Sequence, residues 1–245
     1  VKIFIGIDDT DNLDTRGTGY QARSLGISLT ESGLFQVQTI TRHQLLVDPQ
    51  IPYTSHNSSA CLAGETSTET SELAAHCIEF LIRESAFDSD AGLCIVAESE
   101  LDQEIIGFGR RAKKEVLKVE DTESITRRHK IFLKGLLNTR IGIIGALAAV
   151  GLRSWGNDGR LLWIPNLRET TGIFTVKDYL QRVAVDRITE LNGKLLPQDT
   201  LINITEWSRP VMKHGQVTLI VEKIENDDKY THRSAAKEYI KSISE

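Results

Sequence analysis

Apolar positions recur along this chain with two different periods, and the switches between them mark the elements. Ile3-Phe4-Ile5-Gly6-Ile7 is a short, nearly continuous apolar run, the pattern of a strand covered on both faces. Tyr20, Ala22, Leu25 and Leu29 then fall at helical spacing and stop at Gly33, which predicts a helix. Phe35 to His43 reads as a second strand. The stretch rich in Thr and Glu from Gly64 to Glu72 reads as a linker and helix cap. Leu73, Cys77, Phe80 and Leu81 carry that helix to about Phe87. Gly92 to Glu98 is a buried strand, residues 102–118 an amphipathic helix, and Gly142 to Leu152 a helix of small residues. Asn157-Asp158-Gly159 turns into a strand over Leu161 to Ile164.

Beyond Pro165 the pattern changes. A helix is predicted from Val176 to about Ile188, and Leu201 to Trp207 and Gln216 to Lys223 alternate like strands, joined by a turn over Pro210 to Gly215. The second of these runs into Asn226-Asp227-Asp228, and a polar helix follows. The expected class is α/β, with α+β as the alternative. A mixed sheet with flanking helices spans 1–165, and a smaller β-rich subdomain spans 166–245.

The end of the first strand carries the chemistry. Asp8, Asp9 and Asp11 place three carboxylates within four positions. Carboxylates a few ångströms apart repel, so either a proton or a cation must neutralise them. Hard oxygen donors at a strand's C-terminal edge suit magnesium and the nucleotide phosphates that come with it. The competing reading is an acidic turn in which Asp11 or Asn12 caps a neighbouring element. Asp14-Thr15-Arg16-Gly17-Thr18-Gly19-Tyr20 follows at once and favours a site. Gly17 and Gly19 let backbone approach a ligand, Thr18 is the expected N-cap, and a helix N-terminus there attracts phosphate. No Gly-Lys-Ser or Gly-Lys-Thr closes the loop, so it is not a P-loop, and it is not the dinucleotide glycine fingerprint. An aspartyl nucleophile at Asp9 with an acid at Asp11 would suit a haloacid-dehalogenase phosphatase, but position 13 is Leu where that motif carries Thr.

Gly6-Ile7-Asp8-Asp9-Thr10-Asp11, with the loop ending in Thr18 and Tyr20, resembles the N-terminal signature of the archaeal isoleucine-tRNA agmatidine synthetases. Gly142 to Gly151 resembles a second segment of the same kinase-like catalytic domain. That family uses ATP to phosphorylate a wobble cytidine, after which agmatine displaces the phosphate. The resemblance implies that Asp8, Asp9 and Asp11 handle magnesium and phosphate, and that Thr18 matches a threonine the family can autophosphorylate. Where the family loop reads Cys-Thr-Thr-Tyr, this chain has Gly17-Thr18-Gly19-Tyr20. Cys61, Cys77 and Cys94 form no Cys-x-x-Cys pair, so the family's OB-fold and zinc ribbon are not expected within these residues and the chain reads as a stand-alone catalytic domain.

Charge adds one feature. The net charge is −5, yet Gly107 to Lys134 holds nine Lys or Arg against four acids, a basic strip on an acidic body. Arg110, Arg111, Arg127 and Arg128 are candidates to grip phosphates, and a solvated helix face is the alternative. His56 and Asn57, in the loop Ile51 to Cys61, are candidates to reach a nucleotide. His43 and the other isolated histidines read as structural. At 40% hydrophobic and 26% charged, with no apolar run of membrane-spanning length, the expectation is a soluble cytoplasmic protein with buried thiols.

The functional expectation is ATP- and magnesium-dependent phosphoryl transfer to an oxygen acceptor, either RNA or a small molecule. Asp9, Asp11 and Thr18 are the catalytic set, Asp8, Asp9 and Asp11 the metal ligands, and Gly17, Thr18, Gly19, Arg110, His56 and Asn57 the nucleotide contacts. A nucleotide-sensing module without turnover and a phosphoester hydrolase using Asp9 and Asp11 are the alternatives.

Overall fold

The computed structural model describes residues 1–53, 56–224 and 229–244. They fall into two compact units, Val1–Trp155 and Gly156–Glu245.

The first unit runs β1 (Lys2–Asp8), α1 (Thr18–Glu31), β2 (Gln36–Gln44), β3 (Ser58–Glu65), α2 (Thr70–Glu84), β4 (Gly92–Ala97), α3 (Gln103–Arg111), α4 (Val119–Thr126), β5 (Phe132–Gly135) and α5 (Ile143–Trp155). Its strands lie in the order β5-β4-β1-β3-β2, every pairing antiparallel. Strand alternation sends Phe4, Gly6 and Asp8 of β1 to one face. On that face Phe4, Cys61, Ala63, Cys94 and Val96 share a core with Ile105 and Phe108 of α3 and with α5. Burying side chains such as Ile105 and Phe108 stabilises by roughly 2 kcal/mol each, which holds a helix of nine residues that would be marginal alone. Gly6 sets the depth of packing: a β-carbon there would run into the Ala146 carbonyl, so α5 lies directly on β1. On the other face Gly26 of α1 sits over Val37, Ile40 and Leu62. The fold is α/β, with helices on both faces of the sheet.

Three expectations for this unit need correction. The segment read as loop and linker contains β3, the strand between β1 and β2, whose small residues Ser58 to Ala60 mask it and whose central position abolishes alternation. The helix expected over 102–118 ends at Arg111, where the Ala112 carbonyl accepts the N–H of Leu46, and α4 follows as a separate helix. β5 has no counterpart among the expected elements; three of its four residues are partly buried, Lys134 is exposed, and all four pair with β4.

The second unit runs β6 (Arg160–Trp163), β7 (Gly172–Thr175), α6 (Val176–Arg182), β8 (Arg187–Glu190), β9 (Leu201–Ile204), β10 (Val211–Lys213), β11 (Gln216–Lys223), β12 (His232–Ser234) and α7 (Lys237–Ser244). β11 is central, antiparallel to β10 and β12 and parallel to β8. β6 pairs with β10, so the chain divides before Gly156 and ahead of the boundary expected at Pro165. The helix expected to Ile188 stops at Arg182, because Arg187 to Glu190 is recruited as a strand beside β11. The expected Pro210 to Gly215 turn holds β10, and the turn itself is His214-Gly215, both with positive φ, the two-residue hairpin geometry that matches strand twist. Asn226, Asp227 and Asp228 lie outside the described residues. Among those described, no helix is long and apolar enough to cross a membrane.

Candidate active site

β1 delivers the acidic cluster to one point. Asp8 is its last residue and pairs with Gly92, the first residue of β4, so the end of one strand meets the start of its antiparallel neighbour. Asp8 shares the face of Phe4 and Gly6, which turns its carboxylate toward α5; a β-carbon on Gly145 would overlap Asp8 Oδ2. Asp9 then leaves the strand with φ 51°, a left-handed conformation that aspartate tolerates better than bulkier residues. Asp90, just before β4, comes beside Asp9. Its Oδ1 accepts the Thr139 N–H at 2.5 Å.

This crowding holds protons on acids. Burial, reinforced by the charge of Asp9, pushes the Asp8 carboxyl up to about 8, against the pull of a hydrogen bond from the Asp9 N–H. Burial and then the neighbouring charges of Asp90 and Asp11 raise Asp9 to about 6. A divalent cation would relieve both.

Asp11 behaves differently. Its Oδ1 accepts the Thr18 hydroxyl at 2.8 Å and the Thr18 N–H at 3.1 Å. It thereby ties down the start of α1, as the capping alternative required. The N-cap of α1 is Gly17, without a side-chain cap, and Thr18 is the first helical residue, not the cap expected from the sequence. The buried Thr10 hydroxyl donates to Thr18 Oγ1 at 3.1 Å.

Asp8, Asp9, Asp11, Thr18, His56 and Asn57 all line one cleft, together with Gly145 and the loop before α5. Asn57 fixes one wall: its Nδ2 donates to the Leu46 carbonyl at 2.6 Å and its carbonyl accepts the Leu45 N–H. Gly17 and Gly19 flank Thr18 without lining the cleft; the Gly19 carbonyl accepts from Arg23. Arg110 is not in the lining and stacks on Trp155, 5.0 Å from its centroid. The remaining arginines of the basic strip are engaged by nearby acids: Arg111 by Glu115 and Asp121 and Arg127 by Glu123 within the strip, and Arg128 by Glu104 just before it. His43 is fully buried and bonds Thr41, and the three cysteines are free and buried, as read from the sequence.

The donor set fits magnesium in chemistry. Among the described residues, however, the group of three whose ligand atoms lie within 4.8 Å of one another is Asp102, Glu104 and His129, not the Asp8 cluster. Those three are used structurally. Asp102 caps α3 through Glu104 N–H and Ile105 N–H, and His129 Nε2 bonds Glu104 Oε2 at 2.9 Å, which fastens the residues after α4 to the start of α3. Magnesium at a nucleotide site is held by one or two carboxylates, waters and substrate phosphates, so a protein-only cage is not required of Asp8 and Asp9.

No family model matches the chain. An uncharacterized protein of Methanocaldococcus jannaschii is 30% identical over 152 residues, 62% of this chain and 50% of the relative, so the chain spans about half of that relative's length. Among solved structures, a tRNA fluorescent labeling enzyme matches at 28% identity and TM-score 0.55, over 62% of this chain and 36% of the enzyme. Apo TiaS, an isoleucine-tRNA agmatidine synthetase, matches at 27% and TM-score 0.54, over 62% and 35%. The chain is similar to the agmatidine synthetases. The resemblance read from two short segments therefore extends over more than half of the chain. A TiaS complex with its isoleucine tRNA, AMPCPP and agmatine covers 99% of this chain and 55% of its own at TM-score 0.52; at 19% identity that is a likeness of fold.

Asp90 is the acid that sequence reading missed beside this agmatidine-synthetase-like signature. Its only mark in the sequence is its place two residues before the glycine that opens the strand at 92. That mark acquires meaning only once β4 is known to lie antiparallel to β1.

Proposed function

We propose that the chain binds ATP with magnesium in the acidic cleft of its first unit and transfers the γ-phosphoryl group to an oxygen nucleophile. The observation that carries this reading is the crowding of Asp8, Asp9 and Asp11 in one cleft with Thr18, with Asp8 and Asp9 both raised in pKa by burial and then by neighbouring carboxylates, Asp90 among those acting on Asp9. Asp8 and Asp9 would hold the cation, with Asp90 next to them. Bound magnesium supplies charge neutralisation between phosphate oxygens, the main requirement of phosphoryl transfer. Thr18, in the first turn of α1, lines the position of the transferred phosphate, and the positive end of the helix dipole there favours an anion. Asp11 orients Thr18 and has Oδ1 committed to it, so Asp11 does not stand free as the acid of a phosphoester hydrolase.

The similarity to TiaS, whose solved complexes include one with isoleucine tRNA and ATP, supports ATP as the donor and RNA as the first acceptor class to try, ahead of a small molecule. The test is incubation with ATP, with and without magnesium, followed by intact mass and phosphate release. Magnesium-dependent phosphoryl gain or release is expected. Failure to bind ATP under either condition would contradict the proposal.

A further inference from the structure

We infer that Thr10 is a positioning residue for phosphoryl transfer, acting through Thr18; this rests on the function proposed above. Thr10 is fully buried, directly between the metal-side Asp9 and the capping Asp11. Its hydroxyl donates to Thr18 Oγ1 at 3.1 Å, and its N–H points at the same oxygen at 3.5 Å. Thr18 has one hydroxyl proton, and with Thr10 donating into a lone pair that proton goes to Asp11 Oδ1 at 2.8 Å. Without the Thr10 hydroxyl, the Thr18 oxygen keeps only the long 3.5 Å approach of the Thr10 N–H among the bonds described at this site, and its rotor is held chiefly from the Asp11 side. Thr10 also anchors the turn as a whole: its carbonyl accepts the Ala86 N–H, from the segment that leads to Asp90. A single threonine thus ties together the Asp8–Asp11 turn, the start of α1 and the approach to β4.

The geometry makes Thr10 invisible to ligand, because it is absent from the cleft lining while Thr18 is part of it. Its loss should therefore alter the rate of transfer and leave nucleotide affinity alone. Thr10→Val keeps the shape and the backbone N–H and removes the hydroxyl donor; Thr10→Ser restores that donor and removes the methyl.

The experiment uses the full chain and compares wild type, Thr10→Val, Thr10→Ser and Thr18→Ala for magnesium-ATP affinity by calorimetry and for the single-turnover rate of phosphate leaving ATP, with melting temperature as the control on folding. The expected result is a rate about tenfold lower in Thr10→Val, the worth of one neutral hydrogen bond, with unchanged affinity. Thr10→Ser should recover most of the rate. Equal rates in wild type and Thr10→Val would overturn the positioning role while leaving the proposed function intact. A lower rate that Thr10→Ser fails to recover would assign the effect to packing and also overturn it. A wild type that transfers no phosphate would sink the parent reading, and this one with it.

Discussion

The Asp8 carboxylate occupies the space that a side chain on Gly145 would need: a β-carbon there would overlap Oδ2. Helix α5 starts at Ile143, so this contact brings the end of β1 against the first turn of α5 and leaves the carboxylate no room to withdraw. Gly145→Ala is therefore expected to fold but to displace Asp8, costing about 1–3 kcal/mol of stability and the binding of magnesium-ATP. Gly6→Ala, by contrast, drives a methyl into the Ala146 backbone and should cost more stability. Thermal melts and calorimetry on the two variants check both statements.

Asp8 makes stability depend on pH with a definite sign. Its carboxyl rises from the ordinary 3.8 to about 8 in the folded chain, so the fold binds the proton more tightly than the unfolded chain does. The associated stability is complete below pH 3.8 and is lost as pH climbs through about 8. Asp8→Asn removes this dependence. In urea melts without divalent ions, the stability of Asp8→Asn relative to wild type should rise by ~4 kcal/mol between about pH 5 and pH 8.5, at about 1.4 kcal/mol per tenfold change in proton affinity.

Protons and magnesium compete for the same oxygens. With Asp9 near 6 and Asp8 near 8, the affinity for magnesium-ATP should increase at least about tenfold from about pH 5.5 to pH 8.5. Calorimetry across that range should also show proton release on binding that declines as pH rises. An affinity indifferent to pH would remove Asp8 and Asp9 from the metal.

Asp90 is coupled to Asp9 by charge and is held by the Thr139 N–H. Asp90→Asn keeps the acceptor for that N–H while removing the charge. It should weaken magnesium-ATP binding by about tenfold with little change in melting temperature, since tenfold is about 1.4 kcal/mol and one unit charge about 4 Å from another is worth between about 1 kcal/mol in water and about 4 kcal/mol near a protein surface. Asp14→Asn, in the exposed loop, should change neither.

What the sequence made legible followed from local pattern. The apolar run of β1, the helical spacing of α1 up to Gly33 and the alternation of β11 each depend on neighbours a few residues away, and each element lies where that pattern placed it. Asp8, Asp9, Asp11 and Thr18 were readable for the same reason, since they sit on one strand-loop-helix unit, and His56 and Asn57 reach the same cleft. What escaped depended on partners distant in sequence. β3 is made a strand by β1 and β2 on either side, and α6 is cut short because β11 recruits Arg187 to Glu190. Asp90 joins the acids only through the β1–β4 register, and the pairing of Arg128 with Glu104 depends on the fold bringing α3 against the residues after α4.

The most direct measurement is calorimetric titration of the purified chain with ATP, with and without magnesium, for wild type and Asp9→Ala, each first shown to be folded by its melting curve. Magnesium-dependent binding in wild type that Asp9→Ala abolishes is the predicted result. Equal affinity in the two proteins, or no binding by wild type with magnesium present, would contradict the assignment of the acidic cleft to metal and nucleotide.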